Sequence, residues 1–311
     1  MEFPNPKIKF YKVRTFSEKL NVSFAFFRET WKTFLKYSLY ITLPICLVQA
    51  YAMNAYLHNT LHLSSIENGS YSDAIITLIA DYGLLMLCVL IGQCVLSALI
   101  FSLIQAYEMR ETRLLDIRFS DFKTSFVANL KKMLRLTLFG FAVILAVTLI
   151  VGLLAWLALW SLAITLPLLL IAAILVMIPF MLLPAVYLLG RHTFSVALKK
   201  TFRYGFATWG ETFLVVLVFG LLANIISGVT TMPWYIVTII GEILSLGNPD
   251  SAFNMSVWYQ FGAYLLAVIQ AFGAYLSVIL TTTGMAFHYF SVVEKKDNVL
   301  FDENIRNFEQ L

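Results

Sequence analysis

The stretch LTLFGFAVILAVTLIVGLLAWLALWSLAITLPLLLIAAILVMIPFMLLPAVYLLG, Leu136 to Gly190, runs for 55 residues without a charge between Arg135 and Arg191. As a single helix it would extend for over about 80 Å at about 1.5 Å per residue, far more than the roughly 30 Å of a bilayer's hydrocarbon core. It must therefore fold back on itself, and Trp160-Ser161 is the expected turn. The expectation is a pair of spans over 136–159 and 162–189, with Trp156 and Trp160 in an interfacial belt.

The charges around this stretch extend the reading to the whole chain. All 22 Lys and Arg residues fall in four segments, with eight in residues 1–36, seven in 108–135, four in 190–211 and three in 290–311. Further apolar runs long enough to cross a bilayer lie at 37–57, 82–107, 212–231 and 258–289. Six spans place every base on one side, which is the positive-inside pattern, and put both termini in the cytoplasm. The opposite loops carry Glu67, Asp73, Asp81, Glu242 and Asp250 and no base. Residues 236–246, ended by Gly247-Asn248-Pro249, read as an interfacial helix, because a seventh crossing would carry Lys295 and Lys296 outside. The fold class is an all-α polytopic membrane bundle of six transmembrane helices in the plasma (inner) membrane.

Composition agrees. With 60% hydrophobic and 13% charged residues the chain lies far from the soluble average of about 25% charged. Its basic segments abut apolar ones, so anionic lipid headgroups rather than nucleic acid are the expected partners of that charge. The N-terminal MEFPNPKIKFYKVRTFSEKL is basic and aromatic, unlike a cleaved signal. Cys46, Cys88 and Cys94 sit in apolar runs without C-x-x-C spacing and read as small buried side chains.

The basic segments contain an internal repeat. FSEKLNVSFAFFRETW at 16–31 and FSVALKKTFRYGFATW at 194–209 share Phe, Ser, Phe and Trp at a constant offset, and FSDFKTSFVANLKKM at 119–133 aligns with one deletion. Phe16, Leu20, Phe24, Phe27, Trp31 and Phe34 recur at steps of four and three, as do Phe194, Leu198, Phe202, Phe206 and Trp209. Such spacing gives an amphipathic helix with one apolar face. Ser17, Ser120 and Ser195 are the expected N-caps, and Phe24, Trp31, Phe126, Phe202 and Trp209 the candidate interfacial anchors. The chain thus divides into three units of one interfacial helix plus two spans, 16–107, 119–189 and 194–290, followed by a cytoplasmic tail at 291–311.

These three stretches, the paired spans after each and the ending MAFHYFSVVEKKDN at 285–298 resemble a broad group of uncharacterised bacterial six-span membrane proteins. That group includes the membrane domain fused to some glycerophosphodiester phosphodiesterases. The resemblance covers nearly the whole chain and implies a fold and a location. The phosphodiesterase activity of the fusions belongs to a separate soluble domain, so no catalytic residue is carried over.

Chemistry leaves few marks. No P-loop, dinucleotide fingerprint, nucleophile elbow or zinc spacing occurs, so no cofactor, metal ligand or catalytic residue is assigned. No ionisable residue falls near the middle of an expected span, and such residues are the usual mark of pumps and ion pathways. Asp81, Glu108, Glu211 and His288 lie at span ends, where hydration accounts for them. His58 and His62 are four apart but have no companion carboxylate.

The neutral amides Gln49, Gln93, Asn224 and Gln270 form the candidate intramembrane polar cluster, read first as interhelical ties. Gly262, Gly273 and Gly284 form a small-residue stripe for close helix approach. Pro44, Pro167, Pro179 and Pro184 are expected to kink their spans. The functional expectation is a non-enzymatic multi-pass protein of envelope organisation or lipid-linked regulation. The alternative is a transporter or channel for a neutral or lipidic solute, its path lined by those four amides.

Overall fold

The computed structural model describes residues 6–62, 71–157, 162–247 and 256–299. Helices occupy almost all of these, and no strand occurs among the described residues. In chain order they are α1 (Phe16–His62), α2 (Tyr71–Met109), α3 (Phe119–Leu157), α4 (Leu162–Phe180), α5 (Leu183–Leu189), α6 (Phe194–Ala207), α7 (Trp209–Gly247) and α8 (Val257–Asp297). Six stretches are long and apolar enough to cross a membrane, as a multi-pass membrane protein requires: one each in α1, α2, α3, α7 and α8, and one across α4 and α5.

The helices outrun the expected spans. With 47 residues α1 is roughly 70 Å long, more than twice the hydrocarbon thickness. A helix needs hydrogen bonds rather than lipid to continue, so it passes unbroken from the basic segment into the apolar one. The stretches at 16–31 and 119–133 are accordingly the first turns of α1 and α3 rather than separate elements. Only the third stretch is a helix of its own, α6, divided from α7 at Thr208. Residues 236–246 are likewise not a distinct interfacial helix but the end of α7, which runs through Pro233 without interruption. Pro44 also lies inside an unbroken helix, whereas α4 stops at Phe180 and α5 restarts with Pro184 in its first turn. The expected turn at Trp160-Ser161 lies outside the described residues.

The helix starts correct the expected caps. α1, α3 and α6 each begin at the Phe of a Phe-Ser pair, so Ser17, Ser120 and Ser195 are second residues rather than caps. The cap of α1 is Thr15, whose backbone N–H donates to Glu18 at 2.7 Å while its hydroxyl faces the Glu18 N–H at 3.4 Å. This is the reciprocal capping box. At α3 the carboxylate of Asp121 accepts the Arg118 N–H at 3.0 Å, and at α6 the cap Thr193 makes no side-chain cap bond.

The chain forms two compact units. Unit 1 is Met1–Thr33, Ala98–Gly220 and Leu280–Leu311; unit 2 is Phe34–Ser97 and Leu221–Ile279. Unit 1 contains 21 basic against 13 acidic residues, formally +8, and unit 2 contains one base, Lys36, against five acids, formally −4.

In unit 1, α6 packs on α4 and α5, and α3 on α5. Phe139 meets Phe194 edge-on at 5.0 Å and Phe180 in a stack at 6.3 Å. The segment before α1 is tied down by Phe10, which stacks on Phe287 at 5.5 Å and meets Tyr107 at 5.6 Å.

Unit 2 is held by aromatic hydroxyls and indoles reaching neighbouring helices. Tyr264 donates to the Leu47 carbonyl at 2.9 Å, Trp234 to Asn54 at 2.9 Å and Tyr275 to Gln49 at 2.7 Å. Tyr275 fits only because Gly92 faces it, since any Cβ at 92 would overlap the phenol. Of the small-residue stripe, Gly273 and Gly284 lie tight against Thr230 and Phe219, while Gly262 faces open space. Cys46, Cys88 and Cys94 are buried free thiols.

Candidate functional site

The polar chemistry of unit 1 begins on the first turns of α1. The face turned inward there is Lys19, Ser23, Phe26 and Thr30, all at most 3% exposed. The apolar face read from the sequence lies beside it, with Phe24 and Trp31 more than 40% exposed. In water the apolar side of such a helix turns inward. Here the polar side is the one turned inward, and its groups find partners within the protein, Lys19 on Glu211 and Ser23 and Thr30 on carbonyls one turn earlier.

Lys19 donates to Glu211 on α7 at 2.8 Å, and Lys295 of α8 reaches the other oxygen of the same carboxylate at 2.9 Å. Next to Glu211, Thr212 shares a hydrogen bond of 2.9 Å with Nε2 of His288, a fully buried side chain whose Nδ1 has no partner among the described residues. Hydration therefore does not account for His288, which is fully buried, whereas Glu211 is 42% exposed and pairs with both lysines. A second node is the carboxylate of Glu29, which accepts from Arg113 at 2.7 Å and from the buried Tyr107 hydroxyl at 3.1 Å. Arg14 is also buried, and its guanidinium donates to the carbonyls of Phe10, Lys9 and Lys12. Burial lowers its pKa from the ordinary guanidinium value.

Beside this network lies a cavity of about 680 Å³. Its walls come from Tyr11 before α1, Glu108 at the end of α2, the Gly190-Arg191-His192 turn after α5, Lys200 and Tyr204 of α6, and Tyr289 and Asp297 of α8. Asp297 ties two of these elements together, accepting from the Tyr204 hydroxyl and pairing with Lys200 at 3.3 Å. Burial, and after it the bond to Asp297, pushes the Tyr204 phenol above its usual range. Burial followed by the charge of Lys200 holds His192 below the usual imidazole value, so it is neutral at pH 7.

Arg191 has φ 51°, in the left-handed region that glycine normally occupies after a helix. Here the glycine stands one place earlier. At Gly190 a Cβ would strike the Val186 carbonyl, the His192 ring and the Tyr289 hydroxyl, so glycine is required there and the arginine takes the left-handed conformation. Its side chain is exposed.

The residues singled out from the sequence have separate fates. Of the four amides only Gln49 is buried, and its partner is Tyr275 rather than another amide. Gln93 and Asn224 are exposed, and Gln270 is half-buried. Among the anchors, Phe126 is buried against Phe119 at 5.9 Å. Trp209 stacks on Phe213 at 5.7 Å and donates to the Leu175 carbonyl at 3.2 Å. Phe202 is half-buried and stacks on Phe206, while Phe24 and Trp31 face outward. His58 is exposed, and the side chain of His62 lies outside the described residues. No three His, Cys, Asp or Glu side chains converge as metal ligands do among the described residues.

What the sequence reading missed was Lys19, Arg14 and the cavity. A signal for Lys19 was present, since Lys19, Ser23 and Thr30 make a polar stripe at helical spacing. No protein-family model, curated protein or solved structure matches this chain.

Proposed function

We propose that this is a non-enzymatic protein of a plasma (inner) membrane, with both termini cytoplasmic, that works in envelope organisation or lipid-linked regulation by holding anionic headgroups against unit 1. The observation that carries this reading is the charge division. Basic segments scattered from residue 7 to residue 306 lie, except for Lys36, in one compact unit of formal charge +8. Arg28 and Lys32 on α1, Lys123 and Lys131 on α3 and Lys199 on α6 are exposed, where each base close to an anionic leaflet contributes about 1 kcal/mol. The first turns of α1 and α3 together with α6 are, on this reading, three related interfacial segments, with Trp31 and Phe24 turned to lipid.

The amides support the same reading over a solute path. Gln49 is used up in a tie to Tyr275, and Gln93 and Asn224 do not join it in an interior lining.

The test is reconstitution into nanodiscs with and without anionic lipid. Anionic lipid is expected to raise the melting temperature of the wild type, and to do so much less after Lys32→Glu, Lys123→Glu and Lys199→Glu together. Saturable flux of a neutral solute in liposomes, abolished by Gln93→Leu with stability intact, contradicts the proposal.

A further inference from the structure

We infer that the His192 side of the unit 1 cavity binds the dianion of a phosphate monoester, held by Arg191, Lys132 and Lys200. The inference rests on the reading that unit 1 holds anionic headgroups and deepens it. The exposed lysines answer to any negative charge, whereas this site selects a terminal phosphate over a phosphodiester.

The argument starts from a surplus of positive charge. Arg191 and Lys200 line the cavity together with Glu108 and Asp297. Three further bases flank these four: Lys7, whose ammonium donates to the Glu108 backbone carbonyl at 2.7 Å; Arg203, 3.9 Å from Asp297; and Lys132, on which the charge of Arg191 acts. Five bases thus stand against two acids, formally +3. The acids are already engaged. Asp297 is shared by Lys200, Arg203 and the Tyr204 hydroxyl, and Glu108 has a partner of its own.

Lys132 and Arg191 are the cations left over, since neither makes an ion pair among the described residues. The half-buried Lys132 ammonium has only neutral company, the Tyr187 carbonyl at 3.2 Å and the Tyr187 ring at 5.3 Å. Two like charges acting on each other with no carboxylate to offset them cost free energy, which a bound anion recovers. His192 shows where the charges meet. It lies in the cavity wall, and the charges of Lys200, Asp297 and Lys132 all act on it.

A phosphate monoester carries about −1.5 to −2 charge at pH 7 and three acceptor oxygens. A diester carries a single charge and has one such oxygen fewer. The Arg191 guanidinium can grip two oxygens through parallel N–H donors, which leaves the third for an ammonium. The neutral imidazole of His192 has one N–H to add. A volume of about 680 Å³ exceeds what a phosphoryl group fills, so the group that carries the phosphate has room as well.

The strained turn marks the same place. Arg191 sits in the left-handed region although it has a Cβ, and such conformations gather at binding sites, where the surrounding structure enforces them.

The experiment is calorimetric titration of the full chain in mild detergent with three probes. These are dihexanoyl phosphatidic acid, a monoester; dihexanoyl phosphatidylglycerol, a diester; and glycerol 3-phosphate, the monoester without acyl chains. Phosphatidic acid is expected to bind saturably, about tenfold or more tighter than phosphatidylglycerol. Glycerol 3-phosphate binding within about tenfold of phosphatidic acid identifies a soluble phosphate as the ligand, and weaker binding identifies the lipid. Arg191→Gly and Lys132→Gln should each weaken phosphatidic acid binding about tenfold and change phosphatidylglycerol binding by under about twofold. Arg191→Gly keeps its melting temperature or gains, because glycine relieves the backbone, so the loss is not one of folding.

Equal affinity for the two lipids, or unchanged phosphatidic acid affinity in Arg191→Gly, overturns the inference. If anionic lipid still raises the melting temperature while the titration shows no preference for the monoester, the inference alone fails. If neither effect is found, the reading beneath it fails as well.

Discussion

Lys19 and Glu211, separated by 192 residues in the chain, form an ion pair of 2.8 Å in which the lysine is 2% exposed and the glutamate 42%. The asymmetry decides what the pair does. A buried ammonium without a counter-charge costs several kcal/mol, so the glutamate serves chiefly to make burial of Lys19 tolerable. Glu211→Gln is expected to destabilise the protein by roughly 3 kcal/mol, seen as a lower melting temperature in detergent. Lys19→Met combined with Glu211→Gln should recover most of that loss, since the apolar stem still fills the site. Lys295→Ala, at the exposed end of the same carboxylate, should cost under about 1 kcal/mol. Equal losses for Lys295→Ala and Glu211→Gln would show that Lys19 does not depend on Glu211.

The amides divide by burial. Tyr275→Phe leaves the buried Gln49 carbonyl without its donor and should cost about 1–2 kcal/mol, while Gln93→Leu, on an exposed face, should be neutral or stabilising in lipid. Thermal unfolding of the two variants in one nanodisc preparation separates them. A larger loss for Gln93→Leu would contradict the placement of these residues.

The two tryptophans of the repeated stretches should not behave alike. Trp209 is stacked on Phe213 and hydrogen-bonded to Leu175, so Trp209→Ala is expected to cost about 2 kcal/mol or more. Trp31 is 45% exposed, and Trp31→Ala should change stability in detergent by under about 1 kcal/mol. Its effect should instead be seen as weaker partition of the α1 N-terminal turns into lipid, measurable by fluorescence quenching with brominated lipids.

At the turn after α5, Gly190→Ala forces a Cβ into the Val186 carbonyl, and Arg191→Gly removes a left-handed side-chain conformation. The first is expected to lower the melting temperature sharply. The second should raise stability by about 1 kcal/mol, and the opposite order of the two would refute the account of the turn.

The six apolar helices were legible in the sequence because hydrophobicity over about 20 residues is a bulk property that needs no knowledge of partners. Helix ends were not. The hydrogen-bonded backbone of α1 continues through the charged residues 16–36 without regard to where the lipid stops, and α7 absorbs a stretch, 236–246, whose composition looked interfacial. The first turns of α1 show the limit most clearly. Periodicity found the apolar face at Phe24 and Trp31, but periodicity does not say which face turns inward, and the stripe of Lys19, Ser23 and Thr30 is the one that does. The cavity was not legible at all, because Tyr11, Glu108, Arg191 and Tyr289 come from four distant stretches, and none carries a motif.

The central claim is that the basic unit faces the cytoplasm, and the most direct measurement is labelling of single cysteines in intact cells with an impermeant thiol reagent, in a background where Cys46, Cys88 and Cys94 are serine. Cysteines introduced at Ser65 and Asp250 are expected to react, and those at Arg118 and Lys199 to react only after the membrane is opened. Labelling at Lys199 in sealed cells would contradict the account.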